Sequence, residues 1–368
     1  MSARSRRSRI SSHYRAPRYS GPFLPYEFLR RRLGRVPTTP PNDCRGSTRR
    51  QLRSITQVGI YSGRDELLRA SREANGIKPA ASSSYVPVCQ KTVTYIVAAI
   101  LINERDEVLM MQEAKPTCMG KWYLPAGRVE PNENLIDAMK REVLEETGLL
   151  MEPKSLIMVQ CASGSWFRFV MTGNIVGGSL KTPDQSNEES LQACWVREVT
   201  SLQLRSGDIL TLIQKGREFV KKVNGPWHSH ILPVEKPRNK LYLRLIVCIK
   251  KKATNRLHVL MSEKTSLHLP VCEINPSKNV HSTLHRFMVE IFGEGIPQHK
   301  PHGLLSVEFS GTGEGDGLCL TLLISFKPPL EEVSISGKYI WHELPQALAD
   351  TIAARLPRNM TISMNVIR

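Results

Sequence analysis

The chain has 368 residues, enough for two or three domains, and its 40% hydrophobic content is that of a protein with a real core. No apolar run approaches the roughly 20 residues that cross a bilayer, and the N-terminus lacks the apolar segment of a secretory signal, so a soluble intracellular protein is expected. The net charge is +17, but residues 1–54 hold fourteen Arg, no Lys and two acids, a net of +12, which leaves +5 for the rest.

Residues 1–88 read as a leader, Arg- and Ser-rich and broken by Pro, too polar to bury a core. A disordered leader without a specific role is expected. The same composition suits a mitochondrial transit peptide or a basic import or nucleic-acid patch. The expected location is cytoplasmic, or mitochondrial if the leader is a transit peptide. Eight cysteines (Cys44, Cys89, Cys118, Cys161, Cys194, Cys248, Cys272, Cys319) are scattered without a Cys-x-x-Cys pair. That pattern argues against a zinc site or redox dithiol and for free thiols in a reducing compartment.

From residue 89 the pattern changes. Thr92–Ile102 is a β-branched apolar strand, "NERDE" a polar turn and "VLMMQE" a second strand, so the pair reads as a hairpin. "KWYLPAGRVE" comes next as a short strand and loop. Asn132 to Glu146 reads as a helix, with Pro131 before it and Asn132 as cap. Leu135, Ala138, Met139 and Val143 recur at helical spacing, and Gly148 stops the helix. "SLIMVQCA", "SWFRFVMTGNIV" and "LQACWVREV" are strands, and "SGDILTLIQKGREFVKKV" is a closing helix. The helix comes after a hairpin and does not alternate with strands, which argues against a doubly wound parallel fold.

The chain then repeats itself. "YIVAAILI" at Tyr95 is echoed by "YLRLIVCI" at Tyr242, and "VLMMQE" by "HVLMSE". "PAGRVEPNENLIDAMKREVLEETG" from Pro125 lines up without a gap on "PVCEINPSKNVHSTLHRFMVEIFG" from Pro270. Trp195 has a counterpart in Trp341. A period near 145 residues is that of a whole domain, so two domains of one fold are expected.

In the helix, Glu142, Glu145 and Glu146 stand at i, i+3 and i+4 and project together. Three carboxylates that close repel unless a cation sits among them, and a hard divalent ion suits oxygen ligands. Such an ion lowers the pKa of bound water, which a remaining carboxylate could activate. Gly127 allows close approach, and Arg141 can pair with Glu133 to fix loop to helix. A solvated acidic face is the plainer reading of Glu-x-x-Glu-Glu alone.

The full spacing resembles the Nudix box. Gly127, Glu133, Arg141, Glu142, Val143, Glu145, Glu146, Gly148 and Leu149 fill its fixed positions. The resemblance covers roughly residues 90–220. It implies an α/β (α+β) fold, the Nudix α/β/α sandwich with a mixed sheet, and Mg²⁺- or Mn²⁺-dependent hydrolysis of a nucleoside diphosphate linked to another moiety. It makes Glu142, Glu145 and Glu146 the catalytic metal ligands, with Gly127 and a later glutamate, Glu189, in the shell and Glu133 and Arg141 as support. "QEAKPTCMGKWYLPAGRVEPNE" followed by "SLQACW" looks like the vertebrate branch that cleaves 8-oxo-dGDP and 8-oxo-GDP to the monophosphate, sanitising oxidised nucleotide pools. Hydrolysis of dinucleoside polyphosphates or other diphosphate-linked compounds, or nucleotide binding without catalysis, stays open. Trp122, Trp166 and Phe167 are candidates to stack on the base, although aromatics in strands, Phe169 and Trp195 included, are more often core.

The expected organisation is thus a leader (1–88), a catalytic Nudix domain (89–222), a linker (223–238), a degenerate Nudix-like domain (239–350) and a C-terminal tail (351–368). In the second copy Gly127, Glu133, Glu142 and Glu146 become Cys272, Lys278, Phe287 and Ile291, and only Glu290 keeps the acid of Glu145. That copy cannot hold a divalent ion in this way. His268, His281 and His285 are expected on its surface. The expected partner is a small-molecule nucleotide, with no membrane and no specific nucleic acid; the oligomeric state is not fixed by the sequence.

Overall fold

β-Branched and apolar residues set the first strand, β1 (Thr94–Ala99), in a computed structural model that describes residues 84–222, 225–263, 266–311 and 315–367. The leader through residue 83 lies outside the described residues. The short segment before β1 is tied down by the Tyr85 hydroxyl, which donates to the Thr92 carbonyl at 2.9 Å.

β2 (Val108–Glu113) does not form the expected hairpin with β1. β1 lies between β4 (Ala126–Arg128), antiparallel, and β6 (Trp166–Gly178), parallel. β2 pairs instead with β3 (Trp122–Tyr123) and β7 (Ser190–Val196), and one bridge, Ile102 to Val108, joins the two at their turn. The reason is burial. Val97, Ala98 and Ala99 are covered on both faces, and such a strand is central, with other strands on both edges.

The resulting mixed sheet runs β14–β5–β6–β1–β4, with β5 at Leu149–Ser163 and β14 at Ser363–Val366. Helix α1 (Leu135–Thr147) covers one face, where Leu135, Ala138, Met139 and Val143 join Val97, Ala99 and Phe169 in one core. Helix α2 (Asp208–Lys221) covers the other, where Ile209, Leu212 and Ile213 join Ile100, Ile157, Met158 and Val170. This is the expected α/β/α sandwich. The α1 cap is Asn134, not Asn132: Asn132 sits at φ 66° in the turn after Pro131, and the Asn134 side chain accepts from the Ile136 and Asp137 amides at 2.9 Å.

The later half repeats these pairings. Its elements are β8 (Arg238–Lys250), β9 (Leu257–Ser262), β10 (Val271–Glu273), α3 (Val280–Phe292), β11 (His299–Glu308), β12 (Asp316–Phe326), β13 (Tyr339–Glu343) and α4 (Gln346–Ala353). β8 pairs β12 in parallel and β10 antiparallel, as β1 pairs β6 and β4. β11–β12 and β9–β13 match β5–β6 and β2–β7. On these pairings we propose that 89–222 and 239–350 are an internal duplication. The register refines the match. Gly127 faces Val97 and Cys272 faces Leu243, so buried Tyr95 corresponds to buried Leu241 and not to half-exposed Tyr242.

The two halves share one core, which runs from Val97, Phe167 and Met139 to Leu243, Phe287 and Leu320. The Tyr95 ring meets Phe309 edge-on at 4.8 Å, and its hydroxyl donates to the Asp316 carbonyl at 2.6 Å. The stretch read as a linker is packed: Trp227 and His228 lie buried beside Phe219 on α2, at 5.4 and 5.1 Å. The stretch read as a tail holds the end of α4 and then β14, which lies parallel to β5, while Ile362 exchanges backbone hydrogen bonds with Leu304 on β11. The seven described cysteines are free, and no described helix is long and apolar enough to cross a membrane.

Candidate active site

Helix α1 ends on Gly148 at φ 73°, a left-handed stop that glycine adopts without strain. Its last two turns carry the acids. The helical spacing turns Glu142 and Glu146 toward the sheet, at 6% and 2% exposure, and leaves Glu145 half-exposed. Arg141 gathers the outer acids. Its guanidinium holds Glu133 with two parallel bonds, Nε to Oε1 at 2.8 Å and Nη2 to Oε2 at 2.9 Å. Nη1 reaches Glu142 at 2.8 Å and Glu145 at 3.1 Å, and Nη2 also donates to the Arg128 carbonyl at 3.0 Å. One planar fork thereby joins helix, loop and β4.

Gly127 on β4 faces Glu142 so closely that a Cβ there would fall inside the carboxyl group. Glycine here leaves the space that the Glu142 carboxyl fills, and a side chain would have to displace that carboxyl. One residue back, the Ala126 amide donates to Glu146 at 2.8 Å. Burial pushes the Glu142 carboxyl above the ordinary carboxylate range, against the pull of Arg141. Burial pushes Glu146 well above it, opposed by the Ala126 amide and reinforced by the charges of Glu142 and Glu113. Two buried carboxylates that resist ionising side by side suit a cation between them. The donors are all oxygen, which fits a hard divalent ion such as Mg²⁺ or Mn²⁺. As they stand, Arg141 and the Ala126 amide hold the acids, and among the described residues no three acid, His or Cys side chains converge in ligating geometry.

Glu189 is exposed on the loop before β7, near enough for its charge to act on Glu142. The loop is latched to the end of α1 by Lys181, a residue without a motif in the sequence. Its buried ammonium donates to the Glu145 carbonyl at 3.0 Å, Asn187 at 2.7 Å and Ser190 at 2.8 Å, and the Ser190 hydroxyl donates to the Glu146 carbonyl at 2.7 Å.

The aromatic candidates separate. Phe167, expected as a base contact, is 0% exposed and packs in the core, stacked on Tyr95 at 6.0 Å. β6 is buried on both faces from Phe167 to Thr172, so alternation gave no warning there. Trp122 and Trp166 are half-buried, and the Arg168 guanidinium lies 5.8 Å from the Trp166 ring. Arg168 belongs to no sequence motif. It is buried on the α2 side of the sheet, where it donates to Gln160 at 2.7 Å, to the Tyr123 hydroxyl at 2.7 Å and to Asp208 at 2.6 Å. A charged residue at an inward position of the apolar run "WFRFVM" was its one visible signal. In the second copy, His281 and His285 are exposed as expected, and His268 is half-buried.

The NUDIX domain family model matches residues 93–210. The chain is 35% identical over 302 residues to the 8-oxo-dGDP phosphatase NUDT18 of Mus musculus, a match that spans 78% of this chain and 92% of that protein. It is 34% identical to the 8-oxo-dGDP phosphatase NUDT18 of Homo sapiens, over 75% of this chain and 88% of that one. Among solved structures, a NUDIX hydrolase from Nitrosomonas europaea is similar over 34% of this chain and 90% of its own, at 29% identity and a TM-score of 0.30. An ADP-ribose pyrophosphatase from Streptococcus suis is similar over 34% and 91%, at 21% identity and a TM-score of 0.29.

Proposed function

We propose that this chain, which belongs to the Nudix family of hydrolases, removes the terminal phosphate from oxidised purine nucleoside diphosphates, 8-oxo-dGDP and 8-oxo-GDP, leaving the monophosphate. The observation that carries the reading is the α1 constellation, with Glu142 and Glu146 buried beside Gly127, in a chain that matches 8-oxo-dGDP phosphatases over most of their length.

Divalent metal ions are general to the family, and Glu142, Glu145, Glu146 and Glu189 are the residues that would hold one here. Bound there, a divalent ion would offset charge on the diphosphate and acidify a water molecule. Arg141 holds Glu142 and Glu145 beside Glu133, and a bound ion would compete with its guanidinium for their oxygens. The Ala126 amide orients Glu146, and the glycine at 127 leaves Glu142 the space it fills. A carboxylate of this set would take the proton of the attacking water. Trp122 and Trp166, both half-buried, are candidate contacts for the purine.

The test is turnover by the purified full chain with Mg²⁺ or Mn²⁺, read as phosphate or nucleotide release from 8-oxo-dGDP, 8-oxo-dGTP, ADP-ribose and diadenosine polyphosphates. Preference for 8-oxo-dGDP is the expected result. Turnover confined to the last two substrates would sink the oxidised-nucleotide reading, and no turnover at all would leave a nucleotide-binding protein.

A further inference from the structure

Glu113 ends β2, outside the box. It is 1% exposed, and only one of its carboxylate oxygens is satisfied, by Arg205 Nη1 at 2.5 Å. The other, Oε2, is buried without a hydrogen-bond partner among the described residues. A buried carboxylate oxygen left in this state costs free energy and calls for a partner.

The surroundings say what kind. Glu113 pairs across the sheet with Ser190, the first residue of β7. The Ser190 hydroxyl donates to the Glu146 carbonyl, and Ser190 comes directly after Glu189. The end of β2, the start of β7 and the last turn of α1 therefore meet at one place. The Glu113 charge acts on Glu146, itself 2% exposed. Two buried carboxylates that sense each other, one with an orphaned oxygen, form a place for a positive partner. The nearby Lys181 ammonium is already engaged by three acceptors, Arg205 occupies the opposite oxygen of Glu113, and Lys115, whose charge also acts on Glu146, is an exposed residue.

We propose that Glu113 is a further acid of the divalent-cation centre, contributing its Oε2, and that Arg205 holds the carboxylate in place from the other side. The proposal rests on the reading of the α1 acids as metal ligands. It makes the centre a product of three elements and extends it beyond the contiguous motif.

The test is Mn²⁺ affinity of the full chain, read from the electron paramagnetic resonance signal of free Mn²⁺, with no substrate present. Glu113→Gln is expected to weaken binding roughly 10–100-fold. Glu146→Gln is measured beside it. If Glu146→Gln binds Mn²⁺ less tightly and Glu113→Gln binds as the unmodified chain does, the role of Glu113 is overturned and the α1 reading stands. If neither changes, the α1 reading itself fails. Should Glu113→Gln not fold, as judged by circular dichroism, Glu113→Asp keeps the charge and withdraws the oxygen. A severalfold loss of Mn²⁺ affinity in that variant supports the proposal, and an unchanged affinity overturns it.

Discussion

Helices α1 and α3 have matching places in the two halves and differ in what they bury. Each has thirteen residues, an Asn cap (Asn134, Asn279) and a terminal glycine (Gly148, Gly293). At the two inward positions of the last turns, α1 has Glu142 and Glu146 at 6% and 2% exposure, where α3 has Phe287 and Ile291 at 1% and 0%. The fold therefore does not need the acids. Buried carboxylates cost desolvation that Phe and Ile avoid. α1 keeps a more expensive solution than its own chain shows to be sufficient, and that excess points to chemistry.

The comparison can be broken most directly at Glu146. Glu146→Gln is expected to lower phosphate release roughly 100- to 10,000-fold, with thermal stability unchanged or higher because a neutral amide carries no buried charge. Retained activity, or a marked loss of melting temperature, would contradict the view that the acid serves function and not fold.

Next comes Gly127. Gly127→Ala must displace the Glu142 carboxyl and is expected to cost activity at least about 10-fold, as expected of a misplaced catalytic group. Cys272→Ala, at the matched place in the second copy, is expected to leave activity unchanged. Equal effects in steady-state assays would mean that the two copies do not differ in the way their acids suggest.

A smaller effect lies in the pH dependence of metal-free stability. Glu142 and Glu146 have folded values raised above the ordinary 4.5. Their contribution to stability is thus full below about 4.5, where both states are protonated, and is lost as pH rises through the folded values. Denaturant midpoints should fall over that window in the unmodified chain and flatten in a Glu142→Gln, Glu146→Gln double variant. Mn²⁺ should offset the fall.

The smallest effect belongs to His228. Burial first, then the charges of Arg355 and Lys215, push its imidazole down to about 4 from 6.5. Its contribution is present above 6.5 and is lost as pH drops toward 4. His228→Phe should remove part of the acid sensitivity of unfolding between those values; an unchanged acid limb would place the sensitivity elsewhere.

What the sequence made legible was what local spacing encodes. The acid pattern, the apolar stripe of α1 and its Gly148 stop all depend on positions close together in the chain. What it hid depended on distant partners. β1 and β2 look like a hairpin because a polar turn joins them, yet each takes its main neighbours from later in the chain. Phe167 looks available because a strand buried on both faces has no outward rhythm. Asn132 and Asn134 are equally good caps on composition, and only the turn after Pro131 separates them. Glu113 and Lys181 belong to no motif, and they become candidates only when β2, β7 and α1 are brought together.

The strand β14 has a consequence for how the molecule comes into being. It lies beside β5, with the Cys161 thiol on the Asn365 carbonyl, across 204 residues of sequence. During synthesis the first copy emerges with the outer edge of β5 bare, and an open edge is a template for wrong pairing. The sheet against which α1 packs is finished only after residues 239–350 have been made. A fragment ending near residue 350 would present that edge to other molecules, so the half that bears the acids depends on the end of the chain for its own closure.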